Sequence, residues 1–130
     1  MNKIGILIVC ILLMLTTKTF AKEPKWIKLA DEKDGNVVID VNNIVTHGSL
    51  IRVWSIFNYN TIKYYNALSF KQTFEIDCKE VTVKSYSGTF YRDRMAEGDV
   101  VFSDERISDF SPVPPGTAID KIKEHVCPVN

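Results

Sequence analysis

The chain has 130 residues, of which 45 % are hydrophobic and 25 % are charged. These proportions are those of an ordinary globular protein, and they exclude a disordered chain, a collagen-like repeat and a multi-pass membrane protein. The 16 basic and 16 acidic residues balance, whereas a nucleic-acid-binding domain carries a basic excess. Composition therefore predicts one globular domain without a nucleic-acid partner.

Residues 1–21 have the three parts of an export signal. A positive start precedes an apolar run over residues 4–15, and the small residues Thr19 and Ala21 occupy the positions that signal peptidase reads. We expect cleavage after Ala21, which leaves residues 22–130 as a single domain. Two lysines and no acidic residue are removed with the signal, so the exported chain is slightly acidic.

A membrane anchor and a lipidated cysteine are the alternatives for this segment. The uncharged stretch over residues 4–17 is shorter than the ~20 residues that a spanning helix needs. Cys10 follows the bulky Val9, whereas small residues should precede a lipidated cysteine. We therefore expect Cys10 to be removed with the signal and no transmembrane segment to remain in the exported protein.

Cys78 and Cys127 are then the two cysteines of the exported chain. An even number of cysteines in an oxidising compartment predicts a disulfide. Closing the loop over residues 79–126 is expected to stabilise the fold by roughly 4 kcal/mol, largely by restricting the unfolded chain. A redox-active or nucleophilic thiol is the alternative, and the absence of a CxxC motif disfavours it.

Strand-type composition, apolar alternation and turn signals predict six strands. The turns are predicted at Asp34 and Gly35, where both residues would need positive φ, and at His47 and Gly48. Gly88 is interpreted as a bulge. The strand over residues 67–77 alternates most cleanly. One of its faces carries polar residues and is expected to meet solvent. The predicted strands cover residues 26–30, 36–41, 50–58, 67–77, 79–91 and 99–102.

A proline-rich stretch at residues 112–116 excludes helix and central strand. Thr117 follows it as a predicted N-cap, with Asp120 three positions on, and Ile122 and Val126 then fall on one helical face. Together these elements predict an α+β fold. It is an antiparallel sheet of about six strands with one C-terminal helix packed on it and tethered by the disulfide.

No motif for catalysis or metal binding stands out in the sequence. His47 lies at a turn and His125 in the predicted helix, and both are interpreted as solvated or capping side chains. The glycines are scattered singly, so no phosphate-binding loop is predicted, and no GxSxG motif is present. We expect a non-enzymatic protein with no cofactor, no metal site and no catalytic residue.

The segment over residues 58–66 is the first candidate for binding. It joins two long strands and contains Tyr59, Lys63, Tyr64 and Tyr65 together with three asparagines. Tyrosine provides a large, stiff contact surface and asparagine adapts its hydrogen bonds, a mixture that is typical of binding loops. The alternative is that Tyr64 and Tyr65 belong to a strand and cover the edge of the core.

The segment over residues 91–95 is the second candidate. Arg92 and Arg94 stand beside a tyrosine there, and arginine and aromatic residues are enriched at contact hot spots. The alternative is an ordinary charged hairpin tip. An exposed outer strand is a further possible contact, because its free edge can pair with a second copy in a homodimer.

A series of short motifs runs along the exported chain, beginning with a tryptophan and ending with a cysteine. The motifs are Trp26, residues 35–40, Gly48, residues 51–54, residues 75–78, Tyr86, Tyr91, residues 115–117 and Cys127. Their order and spacing resemble the bacterial surface-adhesin protein E family. The resemblance covers essentially the whole exported chain, with Phe110 and Thr117 in place of the family's usual tryptophan and serine.

The resemblance implies an antiparallel sheet with a disulfide-tethered helix, the layout that the residues also predict. It further implies a protein of the periplasm or cell surface of a Gram-negative bacterium that attaches to host matrix proteins such as vitronectin or laminin. A periplasmic accessory protein that binds a bacterial partner or a small ligand is the alternative. The founding adhesin is a lipoprotein, and this signal lacks a comparable lipid site.

Overall fold

The computed structural model describes residues 22–129. The predicted signal, its cleavage point and Cys10 lie outside these residues and stay predictions. The described elements are β1 (Trp26–Glu32), β2 (Gly35–Asp40), β3 (Val45–His47), β4 (Leu50–Tyr59), β5 (Ser69–Asp77), β6 (Thr82–Tyr91), a 3₁₀ turn (Arg94–Ala96), β7 (Val100–Asp104), β8 (Ser111–Pro112) and α1 (Ala118–Val126).

All the strands belong to one antiparallel sheet, in the order β1-β2-β4-β5-β6-β7. β2 pairs with the second half of β4 and β3 with its first half, while β8 and β7 pair with opposite ends of β6. β3 and β8 exceed the six predicted strands, because two or three paired residues are too few to produce an alternation. The predicted α+β class, an antiparallel sheet with one C-terminal helix packed on it, is confirmed within residues 22–129.

The helix α1 packs on one face of the sheet, which we call the helix face; the opposite side is the helix-free face. Ile122 of α1 is fully buried against aliphatic side chains of the inner strands. Full burial of one such side chain stabilises a fold by roughly 1.5–3 kcal/mol. Because several of these side chains are buried together, this cluster is the main core. Its other members are Val37, Ile39, Ile51, Val53 and Ile76.

Both ends of α1 are held in the predicted manner. The Thr117 hydroxyl accepts a hydrogen bond from the Asp120 N–H at 3.2 Å, which caps the first turn. Cys127 follows the last turn and forms a disulfide with Cys78, their Cα atoms lying 5.7 Å apart. The predicted bridge is therefore confirmed, and it joins the end of the helix to the end of β5.

The turn between β1 and β2 differs from its prediction. Lys33 and Asp34 form the loop, Glu32 pairs with Gly35, and neither Asp34 nor Gly35 has positive φ. Glycine is needed at position 35 for another reason, because a Cβ atom there would overlap the backbone carbonyl of Asn58 in β4. Gly35 therefore permits the close approach of β2 and β4, and the prediction of a turn with positive φ was wrong.

The other two predicted glycine roles have different outcomes. Gly48 does adopt positive φ, 64°, in the turn between β3 and β4. The bulge assigned to Gly88 lies just before it, where Tyr86 and its neighbour together oppose Thr73 of β5. At Gly88 itself, a Cβ atom would overlap the Phe70 ring, so the missing side chain makes room for that ring.

The face of β5 that was expected to meet solvent is largely covered. Ser69 and Thr73 are buried, and Lys71 between them is only partly exposed. Ser69 lies under the loop between β6 and β7, where its hydroxyl donates to the Asp93 carbonyl at 2.6 Å. A strand's own alternation does not reveal that a distant loop folds over its polar face.

Candidate functional site

Tyr64 and Tyr65 do not lie in a strand but in the loop over residues 60–68 that joins β4 to β5, which we call the tyrosine loop. The Ala67 N–H donates to the Tyr64 carbonyl at 2.8 Å, and Tyr65 and Asn66 have positive φ, 53° and 60°. This geometry is a type I′ turn, and the left-handed conformation costs a residue such as tyrosine about 1–2 kcal/mol. Backbone strain of this kind clusters at functional sites.

The two tyrosines belong to a set of contacting rings that we call the aromatic patch: Tyr59, Tyr64, Tyr65, Phe102 and the buried Phe90. Tyr65 stacks on Phe102 with ring centroids 4.2 Å apart and meets Phe90 at 5.0 Å. Tyr64 lies 5.9 Å from Tyr59 and 6.5 Å from Phe90. Tyr64 and Tyr65 expose 49 % and 55 % of their surface, so the patch presents ordered rings to solvent.

A row of phenylalanines across four strands supports the aromatic patch. Phe57, Phe70, Phe90 and Phe102 are successive cross-strand partners in β4, β5, β6 and β7. Phe70 stacks on Phe90 with ring centroids 4.1 Å apart. Because Phe57 also packs against the main core, the row lies on the helix face. The sheet therefore fixes the rings on which the tyrosine loop rests.

Charged groups attach the tyrosine loop to the hairpin beneath it. Lys63 Nζ lies 2.7 Å from an Asp34 carboxylate oxygen. This hydrogen bond and ion pair hold the pKa of Asp34 below its ordinary value and raise the pKa of Lys63. Burial, with a smaller contribution from Tyr64, raises the pKa of Tyr59 to about 12. The Tyr59 phenol is therefore neutral at physiological pH.

Arg94 reaches the same loop from the β6–β7 connection. Its Nη1 donates to the Tyr59 carbonyl at 3.2 Å and to the Asn60 side chain at 3.3 Å. The connection is itself held by Asn58, whose side-chain oxygen accepts from the Met95 N–H at 2.7 Å. These contacts use the Arg94 guanidinium to support the tyrosine loop.

Five of the six predicted binding residues are thus brought together by the structure. Tyr59, Tyr64 and Tyr65 form part of the aromatic patch, Lys63 flanks it and Arg94 supports it. Arg92 instead lies 3.8 Å from Asp99 within its own hairpin and is exposed. Its position matches the alternative interpretation of that segment as a charged hairpin tip.

Phe90 and Phe102 are members of the aromatic patch that the sequence did not single out. Each appears in the sequence as an ordinary apolar strand residue. Their juxtaposition depends on the register in which β7 pairs with β6, and no local pattern encodes that register.

A second site, which is concave and was not predicted from the sequence, lies on the helix-free face. We call it the tryptophan groove and define it by Pro24, Trp26, Val45, Trp54 and Lys71. Its volume is about 540 Å³, within the range of small-molecule sites. The Lys71 Nζ lies over both indole rings, 5.6 Å from the Trp26 centroid and 5.7 Å from the Trp54 centroid.

One wall of the tryptophan groove is the segment that precedes β1. Asn43 Nδ2 donates to the Lys22 carbonyl at 3.1 Å. Asp40, which is only 3 % exposed, accepts hydrogen bonds from the Lys25 and Asn42 N–H groups and from the Asn43 side chain. These donors occupy the Asp40 carboxylate, so its role is to fix the wall.

Other chemistry is sparse in residues 22–129. No group of three or more histidine, cysteine, aspartate or glutamate side chains is arranged there to hold a metal ion. His47 is exposed in β3 and His125 is exposed in the last turn of α1. No helix within the same residues is both long enough and apolar enough to cross a membrane.

Two structures of Haemophilus influenzae protein E have the same fold. Crystal form II superposes with a TM-score of 0.64 at 14 % identity, covering 84 % of this chain and 96 % of that one. A second structure gives 0.63 at 17 % identity, covering 87 % and 90 %. A comparison with curated protein sequences finds no match.

The sequence profile of the family described as "Surface-adhesin protein E" matches residues 26–128. This match runs from the first residue of β1 to the residue after the disulfide, and so includes every described strand and the helix. The resemblance found in the sequence is confirmed: the chain belongs to the surface-adhesin protein E family.

Proposed function

We propose that this protein is an exported, non-enzymatic adhesin that attaches to a host extracellular-matrix protein, such as vitronectin or laminin, through the aromatic patch. The observation that carries the proposal is the stacked pair of Tyr65 and Phe102, two exposed rings held in a fixed arrangement. Membership of a surface-adhesin family supports export to the cell envelope.

The aromatic patch suits attachment to a large partner. Tyrosine and tryptophan dominate contact hot spots, because their rings bury much area while restricting few torsions. The type I′ turn and the ring contacts already order Tyr64 and Tyr65, so binding loses little further conformational entropy. A polar rim completes the surface, since Lys63 and Asp34 flank the rings.

The test is surface-plasmon-resonance binding of the exported protein to immobilised vitronectin and laminin. Wild type is expected to bind at least one of them saturably at micromolar concentration. The double variant Tyr64→Ala/Tyr65→Ala is expected to bind at least about tenfold more weakly, because two hot-spot rings are lost. Tyr86→Ala is the matched control, since this tyrosine contacts Arg52 and Glu75 on the helix-free face.

Circular dichroism of each variant checks that the fold is intact. Absence of saturable binding to either matrix protein would refute the adhesin proposal. If the double variant binds as tightly as wild type, the aromatic patch is not the contact surface.

A periplasmic accessory protein is the second candidate function. The tryptophan groove favours it, since a concave site of this size suits a small ligand better than a matrix protein. Protease treatment of intact cells separates the two candidates. A surface adhesin is expected to be digested, whereas a periplasmic protein is expected to survive until the outer membrane is opened.

A further inference from the structure

We propose that the tryptophan groove binds small carboxylates that carry an apolar ring. This site is independent of the adhesion proposed above, because it lies on the opposite face of the sheet and shares no residue with the aromatic patch. The inference rests on the shape of the groove, the placement of one ammonium group and the absence, among residues 22–129, of a carboxylate partner for that group.

Three strands supply the two indole rings and the ammonium group, and β3 and the segment that precedes β1 complete the walls. Trp26 at the start of β1, Trp54 in the middle of β4 and Lys71 in β5 all project to the helix-free face, by the register of those strands. Pro24 and Val45 add apolar walls. A cavity of about 540 Å³ accommodates a single ring with an attached charged group.

The Lys71 ammonium gives the groove its charge preference. It lies over both indole rings, whose faces attract a cation electrostatically. No aspartate or glutamate oxygen within residues 22–129 lies within 4.0 Å of Lys71 Nζ. A ligand carboxylate is therefore free to take this donor in a charge-assisted hydrogen bond.

The remaining charged groups of the groove do not compete for this role. Asp40 is occupied by its three protein donors, and a ligand cation would have to displace them. Lys22 and Glu23 lie at the exposed rim and carry opposite charges. The groove thus combines apolar walls and the Lys71 ammonium with one carboxylate, Asp40, that is held by protein donors. The ligand that complements Lys71 and the apolar walls is an apolar ring bearing a carboxylate.

Lys84 on the same face provides a matched comparison. Its Nζ lies 5.4 Å from the Tyr86 ring centroid and 5.7 Å from the Phe110 centroid. Lys84 therefore resembles Lys71 in contacting two aromatic rings, but it does not line the groove. A change at Lys84 removes a similar charge from the same face and leaves the proposed site unaltered.

Tryptophan fluorescence reports on this site directly, because Trp26 and Trp54 are the two tryptophans of the chain and both line the groove. The exported protein, excited at 295 nm, is titrated with cyclohexanecarboxylate, which does not absorb at that wavelength. Cyclohexanecarboxamide is the uncharged analogue and acetate is the carboxylate without a ring. We expect a saturable change with the ring carboxylate and at least tenfold weaker binding of each analogue.

The variants test whether Lys71 provides the preference. Lys71→Met is expected to bind carboxylate and carboxamide equally, Lys71→Arg to retain the tenfold preference, and Lys84→Met to behave as wild type. The thermal unfolding midpoint of each variant verifies that the groove is still folded. The proposal is overturned if wild type shows no saturable change up to 10 mM ligand, if the two ring compounds bind equally, or if Lys71→Met keeps the preference.

Discussion

The aromatic patch and the tryptophan groove use similar residues in opposite ways. In the patch, rings contact rings, as in the 4.2 Å stack of Tyr65 on Phe102, and the nearby Lys63 is paired with Asp34. In the groove, two indoles are joined through the ammonium group of Lys71, which has no carboxylate partner within residues 22–129. The aromatic patch therefore presents packed rings to solvent, whereas the tryptophan groove is concave.

This difference teaches what each region is suited to bind. Rings that contact each other leave an apolar surface without an unmet charge, which complements another protein surface. Rings that surround an ammonium group with no carboxylate partner in the described part of the chain leave both space and charge, which complement a small anion. The sheet separates the two regions, because alternate residues of β4 and β5 point to opposite faces. One strand pair can therefore support two binding properties.

The largest expected effect tests whether both regions belong to one cooperative unit. Replacing both disulfide cysteines, Cys78→Ala/Cys127→Ala, is expected to lower the free energy of unfolding by about 4 kcal/mol, because the unfolded chain gains conformational entropy when the cross-link is removed. Urea titration measures this, with tryptophan fluorescence following the groove. Hydrogen exchange of the Tyr59, Asn60 and Ala67 amides, which donate hydrogen bonds in the fold, follows the aromatic patch. We expect both probes to show the same midpoint.

Reduction of the wild-type protein with dithiothreitol is the control for this variant and should reproduce its stability. Two separate midpoints would show that the aromatic patch and the tryptophan groove unfold independently. A loss below about 1 kcal/mol would contradict the expected role of the disulfide.

A smaller effect is expected from a change at the β6–β7 connection, which supports the aromatic patch but not the tryptophan groove. Asn58→Ala removes the acceptor of the Met95 N–H and is expected to cost about 1–3 kcal/mol, the usual penalty for an unpaired polar group. Because that connection carries Arg94 to the tyrosine loop, binding at the aromatic patch should weaken.

Asn60→Ala is the matched control for this variant, since it removes one exposed contact with Arg94 and should cost under about 0.5 kcal/mol. Urea midpoints and ligand titrations are measured for both variants. Equal losses of carboxylate binding and of matrix-protein binding in Asn58→Ala would show that this connection serves the whole sheet.

Much of the fold was predictable because it depends on local chemistry. Alternation, strand composition and turn signals located the six longer strands, and Thr117 marked the start of α1. With Cys10 expected to be removed, the two remaining cysteines admitted one pairing. Gly35 was misread because its reason is a contact with Asn58 in another strand. A dipeptide that is typical of a turn does not reveal whether glycine is needed for its φ or for its small size.

The two sites were predictable to different degrees. The tyrosines of the aromatic patch are clustered within one loop, so composition alone drew attention to them. Trp26, Trp54 and Lys71 come from three separate strands, and each on its own is an ordinary strand residue. They become a site only through the register of β1, β2, β4 and β5, which long-range pairing determines.

The smallest expected effect concerns the pH dependence of the aromatic patch. Burial raises the pKa of Tyr59 from 10.0 to about 12, so the folded protein keeps this proton at pH values where the unfolded chain loses it. The contribution of Tyr59 to stability is therefore complete below pH 10 and is lost as the pH rises from about 10 to about 12.

Absorbance at 295 nm measures phenolate formation during such a titration. Tyr59→Phe should remove the last titration step and flatten the loss of stability over this range, and identical titrations of variant and wild type would contradict the assignment. Because no tyrosine lines the tryptophan groove, this signal reports on the aromatic patch and other tyrosine sites but not on the groove, just as tryptophan fluorescence reports on the groove alone.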